Sequence, residues 1–144
     1  MRALLCVLLA ASVVACGSST EPTGDVSLDP TSTDVAGSYN LVSANGTAPP
    51  FAAFSTSTQD WTLVADTVAM TPPNAWTETT KYFVTDRLDN TTSTQFTIVG
   101  GTYVIANAQI NFTMTQGGTL SFAGSVTGST LTIIFTGKRF IYTK

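Results

Sequence analysis

The sequence predicts an all-β chain: a single antiparallel up-and-down β-barrel of about eight or nine strands occupying residues 37–144. Three observations carry this. Apolar and polar residues alternate with period two from Gly37 nearly to the end, turn residues recur at hairpin spacing, and no window carries a helical stripe.

Strands are expected at 38–44, 61–70, 75–85, 95–99, 101–106, 109–115, 119–126, 130–136 and 138–143. The phase is cleanest late in the chain. Ile110, Phe112 and Met114 alternate with Gln109, Asn111 and Thr113, and Leu131, Ile133 and Phe135 alternate with Thr130, Thr132 and Thr136. Such alternation puts one side of each strand inside and the other in water, and the abundant Thr suits a pleated outer face. The turns are Asn45-Gly46, Pro72-Pro73-Asn74, Asp89-Asn90, Gly100-Gly101, Asn107, Gly117-Gly118, Gly128 and Gly137. A meander this long must deal with its edges, and closing on itself removes them. A β-sandwich is the alternative, but it usually needs long crossovers, and this chain has one long irregular connection, 47–60.

Composition narrows the function. The 144 residues carry six Lys and Arg against nine Asp and Glu, a formal charge of −3, and no histidine. One domain is expected, nucleic acid is disfavoured as a partner, and the commonest general base and metal ligand is missing. An enzyme is therefore not expected, and neither is a cofactor or a bound metal.

Residues 1–15 read as a secretory signal: Arg2, an apolar run too short to span a bilayer, then small residues. Val13-Val14-Ala15-Cys16 followed by Gly17-Ser18-Ser19 resembles the lipobox of bacterial lipoproteins. That resemblance implies cleavage before Cys16, lipid on its thiol, palmitate on the new amine, and anchoring in the membrane. Gly17 stands where aspartate would imply inner-membrane retention, so the outer membrane, facing the periplasm, is the expected location. Residues 16–36 are rich in Ser, Thr, Pro and Gly and read as a flexible tether. Cys6 is lost with the signal and Cys16 is lipidated, so no disulfide is expected.

Gly37-Ser38-Tyr39, Pro49-Pro50, Gly101-Thr102-Tyr103 and the hairpin from Gly124 to Leu131 resemble small bacterial lipocalin-like lipoproteins. Lipocalins open with Gly-x-Trp and set a basic residue near the last strand over that ring. The resemblance implies that Gly37, Tyr39 and Arg139 close one barrel end, and that a small apolar ligand occupies the interior.

The in-phase set Leu41, Phe96, Ile98, Tyr103, Ile105, Ile110, Phe112, Met114, Phe122, Leu131, Ile133 and Phe135 either lines a cavity or fills the barrel. Tyr39, Phe51, Phe54 and Tyr103 are the candidate ligand-binding residues, with Phe51 and Phe54 on a flap that gates or plugs the mouth. Trp61, Trp76 and Tyr82 pack into the core or rim, or form an exposed group that grips a protein or glycan. Asp86 and Asp89 offer oxygen ligands for calcium but lack EF-hand spacing, so a solvated hairpin tip is expected. Asp66 and Glu78 could form an acid/base pair of glycosidase type, but nothing in the sequence fixes their separation. The expected function is a non-enzymatic, membrane-anchored lipoprotein that binds a small apolar ligand. The alternative is an envelope interaction or inhibitor module using its outer surface.

Overall fold

The computed structural model describes residues 34–116 and 118–144; Cys16, the predicted signal and all of the tether before Asp34 lie outside the described residues. The described residues form nine strands in order: β1 (Gly37–Ala44), β2 (Phe51–Ser55), β3 (Gln59–Thr71), β4 (Ala75–Asp86), β5 (Thr92–Ala106), β6 (Gln109–Met114), β7 (Leu120–Thr127), β8 (Thr130–Phe135) and β9 (Lys138–Thr143). All pairings are antiparallel, in the order β1-β9-β8-β7-β6-β5-β4-β3-β2, and β1 also pairs with β3. That second pairing closes eight strands into an up-and-down barrel, with β2 left over as an extra strand on β3. Among the described residues all strands belong to this one sheet, so the barrel and not the sandwich is the fold.

Short turns make the meander possible. Asn107-Ala108 and Thr136-Gly137 join β5 to β6 and β8 to β9 with both central residues at positive φ (52° and 59°, 46° and 75°). This twist matches that of the strands they connect. Gly137 takes its conformation at no steric cost, and Asn107 tolerates it.

Two elements differ from the sequence expectation. Residues 51–55 form β2 inside the stretch read as a loop, pairing with β3 from Phe51↔Leu63 to Ser55↔Asp60. Gly100-Gly101 is not a hairpin but the middle of β5, a single strand of 15 residues. The two glycines are needed because neighbouring strands crowd them. A Cβ on Gly101 would collide with the Thr113 carbonyl oxygen, and one on Gly100 would lie 2.9 Å from that of Trp76.

Because β5 runs straight through, its inward parity is unbroken. Val99, Tyr103 and Ile105 lie on the inner side with Thr97, and the even-numbered residues face out. Phe96 and Ile98, expected in the interior set, are instead 61% and 63% exposed. They stand on the outer face of a region where β6 no longer accompanies β5, since β6 pairs only with 101–106. Trp76 goes the other way: it is buried and donates its ring N–H to the Thr102 carbonyl at 3.0 Å.

The core is densest at the end where β1 begins. Val35 and Tyr39 are both 0% exposed, and the Tyr39 hydroxyl donates to the Val35 carbonyl at 2.7 Å. Val35, two residues before β1, is therefore part of the core. Trp76, Phe112 and Phe122 continue the core, with Phe112 and Phe122 stacked at 5.0 Å and Trp76 edge-on to both. Aromatic pairs at such distances add about 0.5–1.5 kcal/mol beyond their burial.

Gly101→Ala is expected to lower the thermal midpoint steeply or prevent folding, because the added methyl meets backbone that cannot yield. Phe96→Thr, on the outer face, should change stability by no more than about 0.5 kcal/mol. Thermal melts followed by far-ultraviolet circular dichroism compare the two.

Candidate functional site

The barrel is filled at one end and hollow toward the other. A cavity of about 320 Å³ lies above Trp76 and Val68. It is walled by apolar side chains from most strands, among them Val99, Met114, Phe122, Ile133 and Phe135. Its far rim carries Leu120, Tyr82 and Thr97, residues at least partly exposed to solvent. The volume stands at the small end of the range for small-molecule pockets.

One wall is polar, and the reason lies in β3. The register of β3 against β4 shifts between Leu63 and Ala65. Before this bulge odd-numbered residues face in, as Leu63 does; after it the inward residues are Asp66, Val68 and Met70. A bulge inserts one residue and so turns the following side chains to the opposite face. On β4 the inward parity of Trp76 and Val84 carries Glu78 and Thr80 into the same space.

Asp66 and Glu78 are thereby brought together. Asp66 is only 4% exposed; it accepts from the Tyr142 hydroxyl at 2.8 Å and from the Thr80 hydroxyl at 3.1 Å. Glu78 lies beside Asp66, near enough that each carboxyl acts on the other's proton. Loss of water around them pushes both toward the protonated form, against the hydrogen bonds that favour an ionised Asp66. With two donors already on Asp66, the retained proton sits on Glu78, whose pKa is pushed up to about 8 by burial first and by the neighbouring Asp66 charge second. Burial and the same two carboxyls push Tyr142 upward, so its phenol remains a donor. Tyr82 is raised for the same reasons.

The other predicted site residues fall elsewhere. Tyr39 and Tyr103 are buried in the filled end and do not line the cavity. Phe51 and Phe54 lie on β2, outside the cavity lining. Phe54 stacks on Trp61 at 5.0 Å, with Tyr82 edge-on to Trp61 at 5.5 Å, so this trio braces β2 against the rim. The Trp61 ring N–H is buried without an acceptor among the described residues.

The basic residue over the Tyr39 ring is Lys144, its Nζ 5.0 Å from the ring centre, and not the expected Arg139. Arg139 is exposed near the β8–β9 turn and is tied through its backbone to Asn45. Gly37 does contribute to this end, since a Cβ there would lie 2.9 Å from the Lys144 side chain.

At the β4–β5 tip, Asp86 and Asp89 accept hydrogen bonds from Leu88 and Thr91, and Arg87 pairs with Asp60. The carboxylates are occupied within the turn. Among the described residues no group of three or more metal-ligating side chains gathers.

Asp66 and Glu78 were visible in the sequence as a pair without a geometry, whereas Tyr142 and Thr80 were not singled out at all. The available sign was the phase change from Leu63 to Val68 and Met70, which marks a bulge and turns Asp66 inward. Compared with protein families, curated proteins and solved structures, the chain shows no match.

The folded chain holds the Glu78 proton up to about pH 8, whereas a free glutamate releases it near 4.5. Between those values the folded state binds more protons, so stability is greatest below the window and falls as pH rises through it. Asp66, also raised, adds a contribution of the same sign. The thermal midpoint should drop between pH 5 and 9. Glu78→Gln should flatten that dependence and raise the midpoint at pH 8.5 by about 5 °C or more. A midpoint that climbs over this range in the parent chain would contradict the shared proton.

Proposed function

We propose that this chain is a non-enzymatic, lipid-anchored protein of the bacterial cell envelope whose barrel binds a small, largely apolar molecule in its interior. The observation that supports this reading most is the cavity, because a barrel built only for stability is expected to pack its interior to crystal-like density. Here the aromatic packing at the β1 end gives way to a space of about 320 Å³. The lipobox-like Val13-Val14-Ala15-Cys16 supports anchoring through lipid on Cys16, in the outer membrane and facing the periplasm.

A second reading, an interaction module working through the outer surface, is favoured by Phe83, Phe96 and Ile98, exposed apolar residues on β4 and β5. Trp76 is buried and takes no part in such a surface.

An uncharged naphthylamine probe, N-phenyl-1-naphthylamine, should bind one per chain with a rise in its fluorescence. Val99→Trp, which places an indole in the cavity, should sharply reduce the rise while leaving the fold intact by circular dichroism. Equal uptake by parent and variant would place the probe outside the barrel and refute the interior site. For the anchor, Cys16→Ser should eliminate palmitate labelling; retained labelling would refute attachment at this residue.

A further inference from the structure

The cavity is amphipathic in one direction only. Trp76, Met114, Phe122 and Phe135 present apolar surface, while the carboxyls and hydroxyls of Asp66, Glu78, Thr80 and Tyr142 gather on the β3–β4–β9 side. Among the described residues no lysine or arginine lines the space, and the titratable side chains that do, Asp66, Glu78, Tyr82 and Tyr142, are all acids. The described ion pair, Arg87 with Asp60, lies on the surface and does not reach the interior.

Carboxyls buried against aromatic walls are costly unless a cation or a set of hydrogen bonds compensates them. Here hydroxyl donors and one shared proton do part of this work, and no basic side chain among the described residues lining the space completes it. A core that merely required filling would be better served by leucine or methionine at positions 66 and 78. A bare divalent cation fits poorly, because it demands about six oxygen ligands and most of the wall offers none.

We propose that the ligand is a small cationic amphiphile, whose single ammonium group sits against Asp66 and Glu78 and whose hydrocarbon part lies between Trp76, Met114, Phe122 and Phe135. Its N–H groups donate to the carboxylate oxygens, a charge-assisted contact strengthened by exclusion of water. The hydrocarbon part covers apolar wall that otherwise faces solvent. An anionic head would be repelled at this wall, and a neutral head would leave its charge uncompensated. The inference rests on the reading of the barrel as a small-molecule binder and specifies the chemistry of what it binds.

Three probes of equal chain length separate the possibilities: octylammonium, 1-octanol and octanoate, each displacing N-phenyl-1-naphthylamine from the full chain at pH 7.5 below micelle formation. Octylammonium should bind at least about tenfold more tightly than 1-octanol, with octanoate weakest. In the double variant Asp66→Asn, Glu78→Gln the preference should vanish, octylammonium falling to the level of 1-octanol while 1-octanol is retained. Equal binding of octylammonium and 1-octanol by the parent chain, tighter octanoate, or a preference that survives the double variant would overturn the cationic class and leave the barrel a binder of another kind. If the naphthylamine probe itself finds no interior site, the binding reading fails and this inference with it. Should the double variant not fold, the order of the three probes on the parent chain decides alone.

Discussion

Everything in this fold depends on β1 holding two partners at once. Its register with β9 runs from Asn40↔Thr143 to Ala44↔Phe140, and its register with β3 covers Gly37↔Met70 to Asn40↔Thr67. Those four residue pairs turn a meander into a tube. Without them β1 and β3 would present unpaired backbone groups, the exposed edges that antiparallel sheets must otherwise shield. With them, one face of every barrel strand is committed to an enclosed space, and its alternate residues must be apolar or find partners there.

The closure is also limited, and its limit sets the character of the interior. Beyond Asn40↔Thr67 β1 parts from β3, and β2 takes over the edge of β3 from Asp60 to Leu63. The Tyr142 hydroxyl, from β9, reaches Asp66 on β3 beside this parting. On the side where β1 stays paired, Val35, Tyr39 and the aromatic group around Phe112 fill the tube. On the other side the strands enclose a cavity, and the bulge in β3 aims a carboxylate into it. Dense packing and open space thus occupy opposite ends of one barrel. The shared proton between Asp66 and Glu78 is the compromise that lets two acids remain inside.

What the sequence made legible follows from how local each feature is. The strands from β6 to β9 could be read almost to the residue, because clean alternation and two-residue turns are properties of adjacent positions. Closure over stacking was also readable, from the scarcity of long connections. β2 was missed because Phe51 and Phe54 are three apart and follow two prolines, and its pairing with β3 includes a bulge between Ala52 and Phe54. Gly100-Gly101 looked like a turn because close approach of neighbouring backbone demands the same residue as a turn does. That single misreading reversed the parity of β5 and put Phe96 and Ile98 inside. Lys144 over Tyr39, and Tyr142 with Asp66, are contacts between chain positions far apart, and no local pattern encodes them. The expected signal, the expected lipid site Cys16 and the expected tether before Asp34 lie outside the described residues.

The central claim is that the sheet seals through β1, and cross-strand proton contacts measured by nuclear magnetic resonance test it most directly. The account predicts that Asn40 shows contacts to both Thr143 and Thr67 in one molecule, and that Ser38 shows contacts to Ala69. A chain in which β1 contacts β9 alone, with the amides along the facing edge of β3 exchanging freely with water, would be an open sheet, and neither the enclosed carboxyl pair nor the cavity would survive that result.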